Sequence, residues 1–189
     1  YAAFATKFGS IDSTFLCDGK KVDLPDGIAH FLEHKMFENE DGTDTFQLYA
    51  KTGASANAYT SSDKTVYLFS SCDNVTQSLE ILLDFVTHPY FTKQTVDKEQ
   101  GIIGQEIRMY DDNPSWQLYF GMLTGLYVEN PVRIDTAGTV ETIAKITPEL
   151  LYEAYNAFYN LDNMALCVCG KITPEEVESV CNKILKYIP

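Results

Sequence analysis

The absences in this sequence narrow its reading before any motif is considered. Its 189 residues hold no Cys-x-x-Cys pair, no internal repeat and no low-complexity stretch. No apolar run reaches the ~18 residues that a membrane-spanning helix needs, and no signal peptide is visible. Basic residues are scarce: 14 Lys and Arg stand against 27 Asp and Glu, for a net charge of −13. Nucleic acid and anionic membrane surfaces both demand clustered Lys and Arg, so neither is an expected partner. A negative field suits a cationic substrate, although an acidic solvated surface is the simpler reason for it. The five cysteines, Cys17, Cys72, Cys167, Cys169 and Cys181, are odd in number. Cys167 and Cys169 are too close for a zinc knuckle, and on a strand both would face one way as small buried hydrophobes. Reduced thiols in a cytoplasmic protein are therefore expected. The chain begins at Tyr1 rather than Met, which leads us to expect a fragment or a processed product.

Histidine is scarce as well. Only three occur, and His30 and His34 stand one helical turn apart within residues 23–37. That stretch reads as a helix: Pro25 suits a first turn, where its missing N–H costs nothing, and Asp23 or Asp26 can cap the free donors. At about 100° of rotation per residue, His30, Glu33 and His34 leave the helix within an arc of roughly 100°. Ile28, Ala29, Phe31, Leu32, Met36 and Phe37 fill the remaining directions, which marks a buried helix. An unpaired carboxylate in such a place is costly, and a bound divalent cation offsets it. The order His-x-x-Glu-His mirrors the commoner His-Glu-x-x-His: two imidazoles reach one ion and the glutamate reaches a water on it. Alone, the pattern fits a pair of satisfied helix histidines equally well. That these are two of only three histidines favours the ion.

Along the rest of the chain, residues 1–8 and 13–17 read as extended, with a break at Asp18-Gly19. A helix capped by Thr43 or Asp44 and stopped by Gly53 leads into strands over 54–61 and 64–71. The short side chains of Ser55-Ala56-Asn57-Ala58-Tyr59-Thr60 suit a sheet edge that another chain can approach, although a plain hairpin strand is the simpler reading. Asp73 should cap a helix ending at His88-Pro89, where the third histidine has no chemistry assigned beyond the helix dipole. Thr92 opens a helix to about Tyr110 on which Glu99 and Glu106, seven apart, share a side with Ile102, Ile103 and Tyr110. Lys93, Asp97, Lys98 and Arg108 mark a different, polar side. Carboxylates on an apolar stripe need a cation, and the histidine helix offers one that lacks a ligand. Residues 115–127 read as a packed, aromatic-rich helix, 139–145 and 147–158 as further helices, and 163–170 as a buried strand. Thr173-Pro174-Glu175-Glu176 forms a capping box for a last helix to Tyr187. This order of elements indicates one α+β layered domain spanning 1–189.

Taken together, these residues resemble the M16 family of zinc metallopeptidases, the inverzincins that include insulin-degrading enzyme, mitochondrial processing peptidase and pitrilysin. Gly27 to Phe37 is similar to the family's metal helix, and Gly53 to Thr60 to its substrate-binding edge strand. Glu99 to Ile107 is similar to the helix that completes the site, and Pro131 to Thr139 to the bacterial branch. The resemblance implies a two-layer α+β metallohydrolase domain, a mostly antiparallel sheet packed with helices. It also implies Zn²⁺ on His30, His34 and Glu106, with Glu99 as a supporting catalytic-site carboxylate and Asn57, Ala58 and Tyr59 as the substrate strand. Members carry a further strand before the position of Tyr1, and most carry a second homologous half, so this chain is expected to be an amino-terminal catalytic domain.

On that resemblance the expected activity is zinc-dependent endopeptidase hydrolysis, with water activated by the metal and Glu33 as the base. An extended peptide would add to the strand at Asn57 and Ala58. The alternative is a non-catalytic scaffold or partner subunit, but such subunits usually lack the zinc motif. The missing second half or a homologous subunit is the expected partner. By itself the domain should bind one Zn²⁺, cleave peptides weakly or not at all, and self-associate through its open strand edge.

Overall fold

The computed structural model describes residues 1–17 and 19–185. The expected break at Asp18 and the expected helix end at Tyr187 lie outside the described residues. Strands β1 (Ala2–Thr6), β4 (Ser55–Thr60), β5 (Thr65–Ser70) and β6 (Met164–Val168) form one sheet. Its order is β4-β5-β1-β6 and every pair is antiparallel. The register aligns Ala58, Tyr67, Phe4 and Leu166 across all four strands. That face is the core, where Ala2, Phe4, Tyr67 and Phe69 are buried. Helices α1 (Ile28–Lys35) and α3 (Val75–Thr87) lie against it, and α8 (Pro174–Ile184) packs on α3. The architecture is α+β, a largely antiparallel sheet packed with helices.

Local chemistry sets most element ends. Asp44 caps α2 (Thr45–Thr52) by accepting from the Phe46 N–H at 2.8 Å, and Gly53 ends it in the left-handed region at φ 75°. Thr92 and Thr95 form a capping box for α4 (Lys93–Asp111), and Asn113 caps α5 (Pro114–Leu126). Capping boxes also open α6 (Val140–Ile143) and α8, and Thr147 caps α7 (Pro148–Phe158). Among the described residues, no helix is long and apolar enough to cross a membrane.

Several expectations need correction. The histidine helix runs from Ile28 to Lys35, not from 23 to 37, and no side chain among the described residues caps it. Asp23 instead ends β3 (Lys20–Asp23), which pairs with β2 (Thr14–Cys17) in a separate hairpin. Pro25 lies in the turn between β3 and α1, and Gly27 starts the helix at φ 90°. A Cβ on Gly27 would meet the Ala137 carbonyl at 2.4 Å, and one on Gly138 would meet that of Asp26 at 2.5 Å. Two glycines therefore let the 135–138 loop clasp the entrance of α1. The start of α3 is Asn74, at φ 52°, and not Asp73; the Asn74 amide donates to the Thr52 carbonyl rather than capping.

Burial differs too. Among the described residues β6 is an edge strand, half-buried on one face and exposed on the other, and Cys167 on it and Cys169 just beyond it are exposed, as are Cys17 and Cys72. Period-two alternation put both thiols on the same side, but the strand ends at Val168 and the side that Cys167 takes is the one away from the core. Helix α5 is not packed all round: Leu123 is buried, whereas Leu118, Tyr119, Met122 and Leu126 are exposed.

Candidate metal centre

Helix α1 packs against both α4 and β4, the edge strand of the sheet among the described residues, and these contacts assemble the polar groups. The His30 and His34 rings lie 4.6 Å apart at 66°, one turn along α1. Both Nε2 atoms face one carboxylate on α4: Glu106 Oε1 is 3.9 Å from His30 Nε2, and Oε2 is 3.6 Å from His34 Nε2. One ligand atom from each residue fits within 4.8 Å of the others. These separations are too long for hydrogen bonds. They suit donors around a shared ion, since ligands about 2.0–2.1 Å from a tetrahedral zinc stand roughly 3.3–3.4 Å apart. Two nitrogens and one oxygen fit Zn²⁺ with one position left open, as in catalytic sites of this metal.

The two imidazoles are backed differently. Glu99, from α4, takes His34 Nδ1 at 3.0 Å, which fixes the tautomer that leaves Nε2 free to ligate. Burial pulls the His34 pKa down, but the Glu99 hydrogen bond and the Glu33, Glu99 and Glu106 carboxylates outweigh it, and the net shift is upward. His30 Nδ1 is buried with no hydrogen-bond partner among the described residues. Burial first, and His34 second, hold the His30 pKa down at about 3. His30 therefore stays neutral, the form a metal ligand requires.

Glu33 sits between the histidines at 8% exposure. Its Oε2 accepts from the Thr60 hydroxyl at 2.9 Å. Burial pushes its pKa up, the Thr60 hydrogen bond and the nearby His34 charge push it down, Glu106 pushes it up, and the result is a raised value. Glu33 borders two cavities that share Asn57 and Ala58. One, of about 370 Å³, has Phe37, Phe46, Lys98 and Glu99 in its walls. The other, of about 440 Å³, has His30, Glu106, Tyr110, Trp116 and Asp135. β4 is indeed at the sheet edge, with Asn57 and Tyr59 exposed. The Ala58 N–H is not free, because Asn57 Oδ1 accepts it at 2.9 Å.

All eight residues singled out from the sequence thus meet around one centre. Residues that sequence reasoning missed include Lys35, fully buried and paired with Glu38 beside the Phe37 cavity. Its place next to His34 on an otherwise apolar helix was the available signal. Lys98 was assigned to a separate polar side, yet it shares a cavity with Glu99. Trp116, stacked on Tyr110 at 4.6 Å with its Nε1 on Asp135, carried no sequence signal of a site.

Comparison with known proteins gives the chain a family. The family model described as Insulinase (Peptidase family M16) matches residues 18–140, and that of the Peptidase M16 inactive domain matches 145–189. The chain belongs to peptidase family M16. It is 60% identical over 181 residues to the "uncharacterized zinc protease YmfH" of Bacillus subtilis, covering 95% of this chain and 42% of that protein. A putative M16-like peptidase from Alicyclobacillus acidocaldarius superposes at a TM-score of 0.94, with 45% identity, covering 98% of this chain and 44% of that one. The first half of the periplasmic protease PqqL from Escherichia coli superposes at 0.80, with 26% identity, covering 100% of this chain and 41% of that one. This chain therefore spans less than half the length of these M16 relatives.

Proposed function

We propose that this M16 chain carries the zinc site and the proton-transfer group of an endopeptidase. The observation that carries the reading is the convergence of His30, His34 and Glu106 ligand atoms beside a buried carboxylate. Zinc held there would lower the pKa of a water from 15.7 to about 7 and polarise the scissile carbonyl. Glu33 takes the proton as the water oxygen bonds to the carbonyl carbon, then delivers it to the amine nitrogen as the C–N bond breaks. Its burial favours this exchange, because a raised pKa brings a carboxylate nearer to neutral pH. Glu99 keeps His34 in the ligating tautomer.

An extended peptide would pair with the free edge of β4, its backbone replacing Asn57 Oδ1 at the Ala58 N–H. Side chains on either side of the scissile bond would then enter the two cavities. The relatives, one named a zinc protease and the other an M16-like peptidase, are more than twice as long, which supports a further half or a homologous subunit enclosing the substrate. We accordingly assign weak or no cleavage to this chain alone. The scaffold-subunit alternative gives no reason for four converging metal-site and base residues to be intact.

The test is Glu33→Gln in the native protein. Unchanged zinc content with hydrolysis lowered by about 10²–10⁴-fold is expected, the usual worth of general acid–base catalysis. Hydrolysis at the parent rate would exclude Glu33 as the base, and a parent that holds zinc but cleaves no peptide would favour the scaffold.

A further inference from the structure

We infer that Thr60 is a positioning residue that fixes the Glu33 carboxylate and couples it to the strand on which peptide would be seated. The inference rests on the peptidase reading above and names a residue for which that reading has no role. Thr60 and Thr65 face each other across the β4–β5 ladder. Thr65 is fully buried and donates its hydroxyl proton to the Phe8 carbonyl at 2.9 Å. The two hydroxyl oxygens are 3.4 Å apart. With the Thr65 proton committed to Phe8, the Thr60 proton is free for Glu33 Oε2, and an ionised carboxylate can only accept.

The consequence is asymmetric. Oε2 is held by Thr60, whereas Oε1 has no hydrogen bond to protein among the described residues. One carboxylate oxygen is thereby anchored and the other left for the reacting proton. The anchor lies two residues beyond Ala58 on the same strand, so the substrate ledge and the orientation of the base share one rigid element. A helix-borne Glu33 without this bond would keep its place on α1 but lose the direction of its carboxylate.

Two substitutions separate positioning from packing. Thr60→Val keeps the shape and removes the donor, and Thr60→Ser keeps the donor. In the native protein, Thr60→Val should lower kcat by about 10- to 100-fold, the range for partners that orient a reacting group. KM should stay within about 2-fold, zinc content should not change, and Thr60→Ser should recover most of the loss. A second readout needs no turnover: with cobalt(II) in place of zinc, the visible d–d bands should shift in Thr60→Val and return in Thr60→Ser as Glu33 reorients beside the ion. Parental kcat in Thr60→Val, equal damage in both variants, or loss of zinc along with kcat would overturn the assignment. If the parent cleaves nothing, the peptidase reading fails and the cobalt spectrum still decides: identical bands in all three proteins deny that Thr60 sets the carboxylate.

Discussion

His30 and His34 leave the same helix one turn apart, point their Nε2 atoms at the same glutamate, and live in opposite surroundings. His34 is braced by Glu99 at 3.0 Å and held above its ordinary pKa. His30 is largely buried, has no partner on Nδ1 among the described residues, and is held at about 3. One imidazole is oriented by a hydrogen bond and the other by burial alone. The difference gives the two rings opposite proton affinities: protons do not compete with a cation for His30 near neutral pH, whereas the carboxylates around His34 strengthen its hold on a proton.

The contrast breaks most completely at the group both rings share. Glu106→Gln removes the anionic ligand from both sides, and stoichiometric zinc should be lost after dialysis, read by elemental analysis. Retention of one zinc per chain in that variant would move the third ligand elsewhere.

A smaller effect should isolate the braced side. Glu99→Gln is expected to weaken zinc by about 10- to 100-fold in a competition titration, because only His34 loses its support. Unaltered affinity would reduce Glu99 to an ordinary partly buried carboxylate.

The smallest effect concerns stability without metal, and here the two histidines should act with opposite sign. Unfolded His30 takes up its proton near 6.5 and folded His30 only near 3, so stability falls as pH drops across that window. Folded His34 binds its proton above the ordinary value, so its contribution is present below 6.5 and is lost as pH rises through the folded pKa. In urea titrations of the metal-free protein at pH 7.5 and 5.5, His30→Gln should flatten the acid-side fall and His34→Gln should steepen it. Shifts of the same sign in both variants would contradict the contrast.

Much of this site was legible because it is periodic. The one-turn spacing of His30 and His34 and the two-turn spacing of Glu99 and Glu106 put each pair on one helix face, whatever the exact helix ends. The short side chains of Ser55 to Thr60 likewise suggested a strand that another chain can approach, and β4 is at the edge. What could not be read is set by tertiary partners. The β2–β3 hairpin was hidden because Lys20 and Lys21 look like loop, and only Phe15 and Val22 reach the core. Alternation placed Cys167 and Cys169 on one side of an extended run but could not say which side the helices would cover. Full burial of Lys35 depends on Glu38, beyond the helix end, turning back to meet it. Thr60 acquires its role only when the β4 edge is folded over α1.

The central claim is that one zinc sits on two imidazoles and a carboxylate, and X-ray absorption at the zinc edge of the loaded chain tests it most directly. The expected result is one zinc per chain with only nitrogen and oxygen neighbours at about 2.0–2.1 Å and the multiple-scattering signature of two imidazoles. A sulfur neighbour at about 2.3 Å, placing the ion on the exposed cysteines instead, would contradict it.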